Sequence, residues 1–514
     1  SCFFTFAVKD PFTALTNTLI FSYDRIVKRQ KEKTLYEYKT KPFDHQRKAL
    51  EDSWDASFHA YFMEMGTGKS KVAIDNIGLL FEKKQITAAL IVAPKGVYDN
   101  WAKGEIPLHM PDRIERKIVR WTPSLSKKFS EELEDLIMED YDGLKIFVMN
   151  VEAFSSPKGA RTAGRFLVQN PDNMMIVDES TTIKNRKAQR TKNLMVLTKY
   201  SKYRRILTGS PVTKSPMDLF SQCNFLDDKA LGYNSFFAFQ NRYAIVQKRV
   251  MGARSFQEIT GYRRLDELNE RLFNFSTRVL KEECLDLPEK IYTKRNVELT
   301  DEQAKVYGQM KKLALAQLEN GDLATTESVL TQIMRLQQIC CGFFQPDVGK
   351  IQPLKNNRLN ELTNITDELS GKAIIWASYT HDIQQICQTL RDRFGPDSVA
   401  LYYGATPQDE RQDIVNRFQD ENDPMRFFVG QPKTGGYGIT LTAANTVIYY
   451  SNSYDLEIRL QSEDRAHRIG QKNAVTYIDL VSPNTIDEKV LDALRSKIDL
   501  AGQVLKEDVS GWLR

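Results

Sequence analysis

Cysteine is scarce: six in 514 residues, at positions 2, 223, 284, 340, 341 and 387. No two are spaced as Cys-x-x-Cys, which excludes a zinc ribbon and a disulfide framework of the usual kind. Cys340 and Cys341 close a run, 329–339, whose apolar residues recur at helical spacing, so they read as buried thiols. A reducing, intracellular and soluble setting, cytoplasmic, fits this usage. No apolar run approaches the roughly 18 residues of a membrane span. The apolar start, Ser1 to Val8, lacks a basic leader and is short for a signal peptide. An initiator methionine is missing, as are internal repeats and low-complexity tracts. Charge of one sign is not in large excess either: the net value is +5, with 41% hydrophobic and 27% charged residues, an ordinary globular balance. The length points to about three domains.

The small excess of positive charge is localised. Residues 1–48 hold ten Lys/Arg against five Asp/Glu, and Thr181 to Gly209 contains nine basic residues and no acidic one. Such blocks suit a polyanion partner; the plainer alternative is a solvated helix face.

Short β-rich runs alternate with longer helical patterns, which predicts an α/β fold of parallel sheets covered by helices. The expected strands are 88–94, 144–150, 174–178 and 205–208 in one series, and 372–378, 399–403, 426–430, 446–451 and 475–481 in a second. Two α/β lobes follow. Between them, about 215–355, the pattern is helical with an irregular middle; 301–320 and 325–341 read as helices and Met251 to Arg254 as a turn in an exposed excursion. A last helix, about 485–505, is placed to pack back across the lobes.

The segment Met63-Glu64-Met65-Gly66-Thr67-Gly68-Lys69-Ser70 reads as a phosphate-binding loop. Gly66 and Gly68 let backbone N–H groups approach phosphate oxygens, with Thr67 between them, Lys69 reaches the β/γ-phosphates, and Ser70 is a ligand for Mg²⁺. Met63 stands where the strict pattern has glycine. The second series has only Gly371-Lys372-Ala373, without the hydroxyl, so one ATP per chain is expected. Met174 to Glu179 is an apolar strand ending in two carboxylates: Asp178 to hold Mg²⁺ through water and Glu179 to activate the attacking water. Arg465 and Arg468, three apart, share a helix face and can neutralise charge on a transferring phosphoryl group; a salt-bridged surface helix is the alternative.

In their order these stretches resemble superfamily 2 helicases of the Swi/Snf type. Phe43-Asp44-His45-Gln46 resembles the adenine-reading Q motif, and Leu90 to Lys95 with Asn100-Trp101 resembles motif Ia. Asp178 to Asn185 is similar to the acidic motif ending in Ile-Lys-Asn, and Leu207-Thr208-Gly209-Ser210-Pro211 to motif III. Gly435 to Ala444 resembles motif V and Gln461 to Gln471 motif VI. The resemblance covers about residues 40–500 and implies two RecA-like lobes with a helical insertion. It divides the chain into a basic extension (1–40), lobe one (41–225), insertion and connector (226–355), lobe two (356–495) and a C-terminal helix or tail (496–514). It implies nucleotide contacts from Gln46 and Gly438, DNA-backbone contacts around Lys95, Asn150, Lys184, Thr434 and Thr440, and coupling through Thr208, Ser210 and Gln461. Phe237 to Tyr243, Leu265 to Asn269 and Arg278 to Glu283 resemble the annealing-helicase, fork-remodelling branch, and the compact chain resembles viral or bacterial members. Thr181 replaces a frequent histidine, Thr440 an asparagine, and Asn452-Ser453-Tyr454 a Trp-Asn-Pro segment. The expected activity is therefore ATP-driven translocation on duplex, forked or branched DNA by a monomer. The alternatives are a nucleotide-gated DNA-binding switch and an RNA helicase.

Overall fold

The computed structural model describes residues 36–123, 126–251, 254–319, 326–346, 349–407, 409–435 and 439–506. Most of the basic N-terminal extension, the turn at 252–253, Gly438 with its two preceding residues, and the tail from 507 lie outside the described residues.

Two parallel sheets organise the chain. The first contains β1 (Phe58–Met63), β2 (Ala88–Ala93), β3 (Arg116–Arg120), β4 (Leu144–Asn150), β5 (Asn173–Asp178), β6 (Tyr203–Leu207) and β9 (Ser276–Val279), in the order β3-β4-β2-β5-β6-β1-β9. Every pairing in it is parallel. Its central strand β2, Ala88 to Ala93, is apolar along its whole length, because helices cover both faces. The second sheet contains β10 (Lys290–Asn296), β13 (Lys372–Trp376), β14 (Val399–Tyr402), β15 (Phe427–Gly430), β16 (Ala444–Tyr449) and β17 (Val475–Val481), ordered β10-β17-β16-β13-β15-β14. It too is parallel throughout. β7 (Ala244–Met251) and β8 (Arg254–Tyr262) form a separate antiparallel hairpin, and β11 (Phe343–Phe344) with β12 (Gln352–Pro353) a second, short one.

The nine strands expected from the sequence are all present, within two residues at each end. In the two parallel sheets β1, β3, β9 and β10 are additional, as are the four strands of the two hairpins. β9 and β10 come from the stretch read as a helical insertion, which thus gives an edge strand to each sheet. The chain leaves lobe one at Val279 and enters the second sheet at Lys290. The helices of this stretch are there, including Asp301–Glu319 and Thr326–Cys341. Ile486–Leu505 is one uninterrupted helix that runs through position 495/496. It does cross the lobes, because Val504 sits in lobe one's core and its carbonyl accepts from Asn269 Nδ2 at 2.9 Å.

A buried cation ties the start of lobe one together. Arg205 on β6 donates to Asn76 Oδ1 and to the carbonyls of Ser53 and Trp54. It thereby fixes the helix Asp44–Ser53 against the helix Lys69–Glu82, which follows the phosphate loop. Three such bonds replace the water that burial removes from the guanidinium.

Candidate nucleotide site between the lobes

The phosphate loop leaves the C-terminal end of β1, and Asp178 ends β5, so both lie on the sheet edge where parallel α/β folds bind ligands. Gly66 and Gly68 have φ of 84° and 89°, a region that glycine enters without steric cost. Gly68 has a second reason to be glycine: a Cβ there would fall 2.1 Å from Gln46 Nε2. Gln46 is buried and donates to the Thr67 carbonyl at 3.0 Å, and His45 Nε2 lies 2.8 Å from the same oxygen. Gln46 therefore braces the loop from behind. Lys69 Nζ reaches back to the Glu64 carbonyl at 3.4 Å, and Thr67 Oγ1 donates to that oxygen at 2.7 Å. Ser70 stands in the first turn of the helix Lys69–Glu82, whose N-terminal amides face the loop.

Asp178 Oδ2 accepts from the indole of Trp101 at 2.8 Å, and Oδ1 accepts from the backbone N–H of Glu179 at 3.0 Å. Trp101 is fully buried. Burial raises the Asp178 pKa, against the lowering effect of the Trp101 bond and of Lys69. Glu179 has a left-handed backbone, φ 48°, which costs a non-glycine residue on the order of 1–3 kcal/mol. That turn directs its carboxylate to Thr208, whose Oγ1 donates to Oε2 at 3.5 Å. Burial pushes the Glu179 pKa up to about 7; Lys69 opposes this, Asp178 and Glu457 add to it, and Arg465 opposes it. A carboxyl group that titrates near neutrality is suited to proton transfer.

Lobe two closes the site with the helix Leu456–Glu463 and the turn after it. Arg465 is buried, held by the carbonyls of Gln461 and Ile439 at 2.9 and 3.0 Å, and its Nη2 lies 3.8 Å from Met65 Sδ in the phosphate loop. Arg468 donates to Thr440 Oγ1 at 3.2 Å, and its Cγ would be 3.5 Å from a Cβ on Gly66. The two arginines do not share a helix face as expected: the helix ends at Glu463 and both lie in the turns that follow, which bring them across the cleft to the loop. A cavity of about 40 Å³ remains between the lobes, bordered by Glu179, Thr208, Ser210, Glu457, Gln461 and Asp464 among others. Ser210 donates its N–H to Thr208 Oγ1 at 3.2 Å, which steadies the motif III turn.

Residues that the sequence had not singled out complete the cleft. Glu457 accepts from Thr181 Oγ1 at 2.6 Å, Lys184 Nζ at 2.9 Å and Gln461 Nε2 at 3.4 Å. Lys281, on the connector, donates to Asp464 and to the His467 carbonyl, while its backbone N–H donates to Glu64 Oε2. Glu457 lies four residues before Gln461 on the same helix, a spacing that places the two side chains together, though nothing in it points to Thr181 or Lys184. Lys281 had no such signal.

The residues expected at DNA are spread over the same edge of both lobes. Lys95 is exposed just after β2, and Asn150 ends β4 and donates to Glu152. Lys184 is shared by Glu457 and Thr213. Thr434 is half-buried beside Gln431, and Thr440 is engaged by Arg468. Gly438 is outside the described residues.

Two parallel-sheet lobes, one with a phosphate loop and acidic strand end, the other with paired arginines, define a two-lobed nucleotide-binding protein. The SNF2-related domain matches residues 61–344 and the helicase conserved C-terminal domain residues 354–470. The chain belongs to the SNF2-related family. It is 27% identical over 470 residues to an uncharacterized ATP-dependent helicase of Mycoplasma genitalium, covering 90% of this chain and 41% of that protein. With the SWI/SNF chromatin-remodeling complex subunit snf22 of Schizosaccharomyces pombe the identity is 26%, covering 90% of this chain and 28% of the other. With the DNA annealing helicase and endonuclease ZRANB3 of Bos taurus it is 27%, covering 86% and 38%. The chain spans less than half the length of these relatives. Among solved structures it is similar to the Sulfolobus solfataricus SWI2/SNF2 ATPase core in complex with dsDNA, at 22% identity and TM-score 0.40, covering 93% of this chain and 95% of that one. Among the described residues no helix is long and apolar enough to cross a membrane.

Proposed function

We propose that this chain is the motor of a DNA-dependent ATPase that moves along duplex or branched DNA. The observation that carries the proposal is the placement of Arg465 against Met65 and Arg468 against Gly66, across the cleft from Glu179. Relatives named as ATP-dependent helicases, one of them a DNA annealing helicase, support the same reading.

Gly66, Thr67 and Gly68 present backbone N–H groups to the phosphates of ATP, and Lys69 leaves the Glu64 carbonyl to reach them. The loop fits a polyphosphate, because its glycine conformations leave no Cβ between backbone and ligand. The Ser70 hydroxyl, directly, and the Asp178 carboxylate, through water, are the hard oxygen groups that would hold Mg²⁺, which when bound would neutralise charge on the phosphates. Glu179, in its unprotonated form, accepts the proton of the attacking water. Arg465 and Arg468 then meet the charge developing on the γ-phosphoryl group, a role worth about 10³–10⁵ in rate in comparable enzymes. Because the arginines and the base are on different lobes, turnover requires closure, and release of product reopens the cleft. Lys95, Asn150, Lys184, Thr434 and Thr440 are proposed to hold DNA through its backbone, the contact a sequence-tolerant motor needs.

The test is ATP hydrolysis by the purified chain alone, then with single-stranded, duplex and forked DNA, and with RNA. Stimulation by duplex or forked DNA is expected. ATP binding without stimulation by any of them would replace the motor with a nucleotide-gated switch, and stimulation by RNA alone would make it an RNA helicase.

A further inference from the structure

The hairpin β7–β8 contributes little to lobe one's core. It is paired from Ala244 with Tyr262 to Met251 with Arg254, and it forms a sheet of its own. Its root is anchored: Tyr243 and Ala244 are buried, the Arg263 N–H donates to the Tyr243 carbonyl at 2.9 Å, and Tyr243 Oη donates to Glu267. Beyond the root, residues 247–250 of one strand and 255, 257 and 258 of the other are exposed. Alternate residues of a strand point to opposite faces, so both faces of the ribbon stand in solvent. A two-stranded ribbon with neither face covered is marginal by itself, and its outer part gives the fold almost no buried apolar area.

Its composition is one-sided. From 244 to 264 the basic residues are Lys248, Arg249, Arg254, Arg263 and Arg264, and the single acid is Glu258. Glu258 pairs with Arg249 at 2.6 Å. Lys248 has no acidic partner among the described residues. Val250, close to the turn, is 72% exposed. The root borders the basic block of lobe one. Arg186 lies 4.2 Å from the ring centre of Phe236, on the helix Phe236–Tyr243 that leads into β7. Tyr262 borders Ser215 and Asp218, and Asp218 accepts from the backbone N–H groups of Thr213 and Lys214. Thr213 in turn receives Lys184. The ribbon therefore extends the edge of lobe one on which Lys184 and Arg186 lie.

We infer that the hairpin is a DNA-junction contact: its basic strands lie along the backbone and the apolar end at Val250 abuts the last base pair where a duplex divides. This rests on the motor reading above. Charge complementarity selects a polyanion. A two-stranded ribbon is of a size that DNA's major groove admits, and exposed apolar side chains are the groups that proteins set against unstacked base steps. On an unbroken duplex Val250 would have no such face to meet, which is why a junction is the better fit.

Two variants test it. In one, residues 247–258 are replaced by a short Gly-Ser turn, which keeps Val246 and Ile259 packed on lobe one's core. In the other, Lys248→Gln is combined with Val250→Ser, at exposed positions that do not endanger folding. Affinity for a Y-shaped fork and for a linear duplex of equal length is measured by fluorescence anisotropy over a range of salt, together with ATPase stimulation by each DNA. The expected result is a wild-type preference for the fork that both variants lose, on the order of tenfold. In the double variant the salt dependence of fork binding should fall by about one unit of slope, for one lost phosphate contact. Duplex-stimulated hydrolysis should stay within about twofold of wild type, since the hairpin touches none of the ATP machinery. A fork-to-duplex ratio unchanged in both variants, or a wild-type chain with no fork preference, overturns the inference and leaves the ribbon to a protein partner or to no partner. Absence of stimulation by any DNA in the wild type would instead overturn the motor reading.

Discussion

Glu457 of lobe two bonds to Thr181 and Lys184 of lobe one, at 2.6 and 2.9 Å, on the short turn that begins directly after Glu179. Along its own helix it also receives Gln461, whose carbonyl holds Arg465. One carboxylate thus connects the turn carrying the base to the helix that positions the arginine. Lys184 is at the same time a residue expected to meet DNA. A phosphate that captured Lys184 would weaken its hold on Glu457, so DNA binding would release the restraint that this interlobe bond places on the turn after Glu179 and on the arginine helix. Glu457→Gln keeps the shape and removes the charge. Its expected effect is a rise in basal hydrolysis relative to the DNA-stimulated rate, read as a smaller stimulation factor at saturating ATP. Unchanged stimulation would confine Glu457 to packing.

The phosphate loop and the base separate binding from chemistry. Lys69→Ala is expected to lower both ATP affinity and turnover, because Lys69 contacts the phosphates in ground and transition states alike. Glu179→Gln should bind ATP normally and lose hydrolysis by about 10²-fold or more, the contribution of a positioned base. Equilibrium binding of a labelled nucleotide beside single-turnover hydrolysis distinguishes the two. Wild-type turnover in Glu179→Gln would remove its assigned role.

Much of this site was legible in the sequence because its groups come in short local patterns: Gly66 to Ser70 in one turn, Asp178-Glu179 at a strand end, Arg465 and Arg468 three residues apart. The parallel sheets were legible for a similar reason, since doubly buried strands such as β2 and β5 are continuous apolar runs. β9 and β10 were not. They are edge strands, half-polar, with Lys290 to Asn296 alternating between partly buried and exposed before three exposed residues. Glu457 with Lys184 and Lys281 with Asp464 were invisible for a different reason. Each pair joins residues 273 or 183 positions apart, and an ion pair leaves no periodicity in either segment.

The arginines should differ in kind. Arg465 is buried and fixed by two carbonyls, whereas Arg468 is half-exposed, bound to Thr440 and close enough to influence the partly buried carboxyl group of Glu105. Arg465→Ala is expected to preserve ATP binding and reduce turnover by about 10³-fold. Arg465→Lys should recover little, because an ammonium cannot reproduce the planar fork that meets both carbonyls and the phosphoryl group. Equal loss of affinity and rate would mark Arg465 as structural.

Away from the cleft, Arg358 provides a stability test. It is fully buried, donates to the Tyr450 carbonyl at 2.8 Å and Ser482 Oγ at 3.0 Å, and pairs with Asp487 at the start of the long C-terminal helix. Removing one partner of such a pair leaves a buried charge, at a cost of about 3–5 kcal/mol. Asp487→Asn should therefore lower the thermal midpoint clearly, while Arg358→Met with Asp487→Leu should recover most of the loss. A double variant no more stable than the single one would show that the bonds to Tyr450 and Ser482, not the ion pair, set the contribution.

The pH dependence of Glu179 links function to stability in opposite directions. Its pKa is raised in the folded chain, from the ordinary range near 4.5 to about 7, chiefly by burial. The unfolded chain therefore releases this proton first, and folding loses stability as pH rises from about 4.5 to about 7. Glu179→Gln removes that loss. The variant should match wild type in unfolding free energy below about pH 4 and exceed it above pH 7, by on the order of 1–3 kcal/mol, read from denaturant titrations at each pH. Catalysis runs the other way, since only the unprotonated carboxylate accepts the proton of water, so wild-type kcat/KM should rise through an acid limb near pH 7. The charged groups facing Glu179 are Lys69 on the loop helix, Asp178 beside it, and Glu457 and Arg465 from lobe two. Glu457→Gln removes a like charge and should move the acid limb to lower pH, whereas Arg465→Ala removes an opposite one and should move it higher. A variant no more stable than wild type at pH 8, together with an acid limb that neither substitution moves, would show that Glu179 titrates in the ordinary range and is not the base.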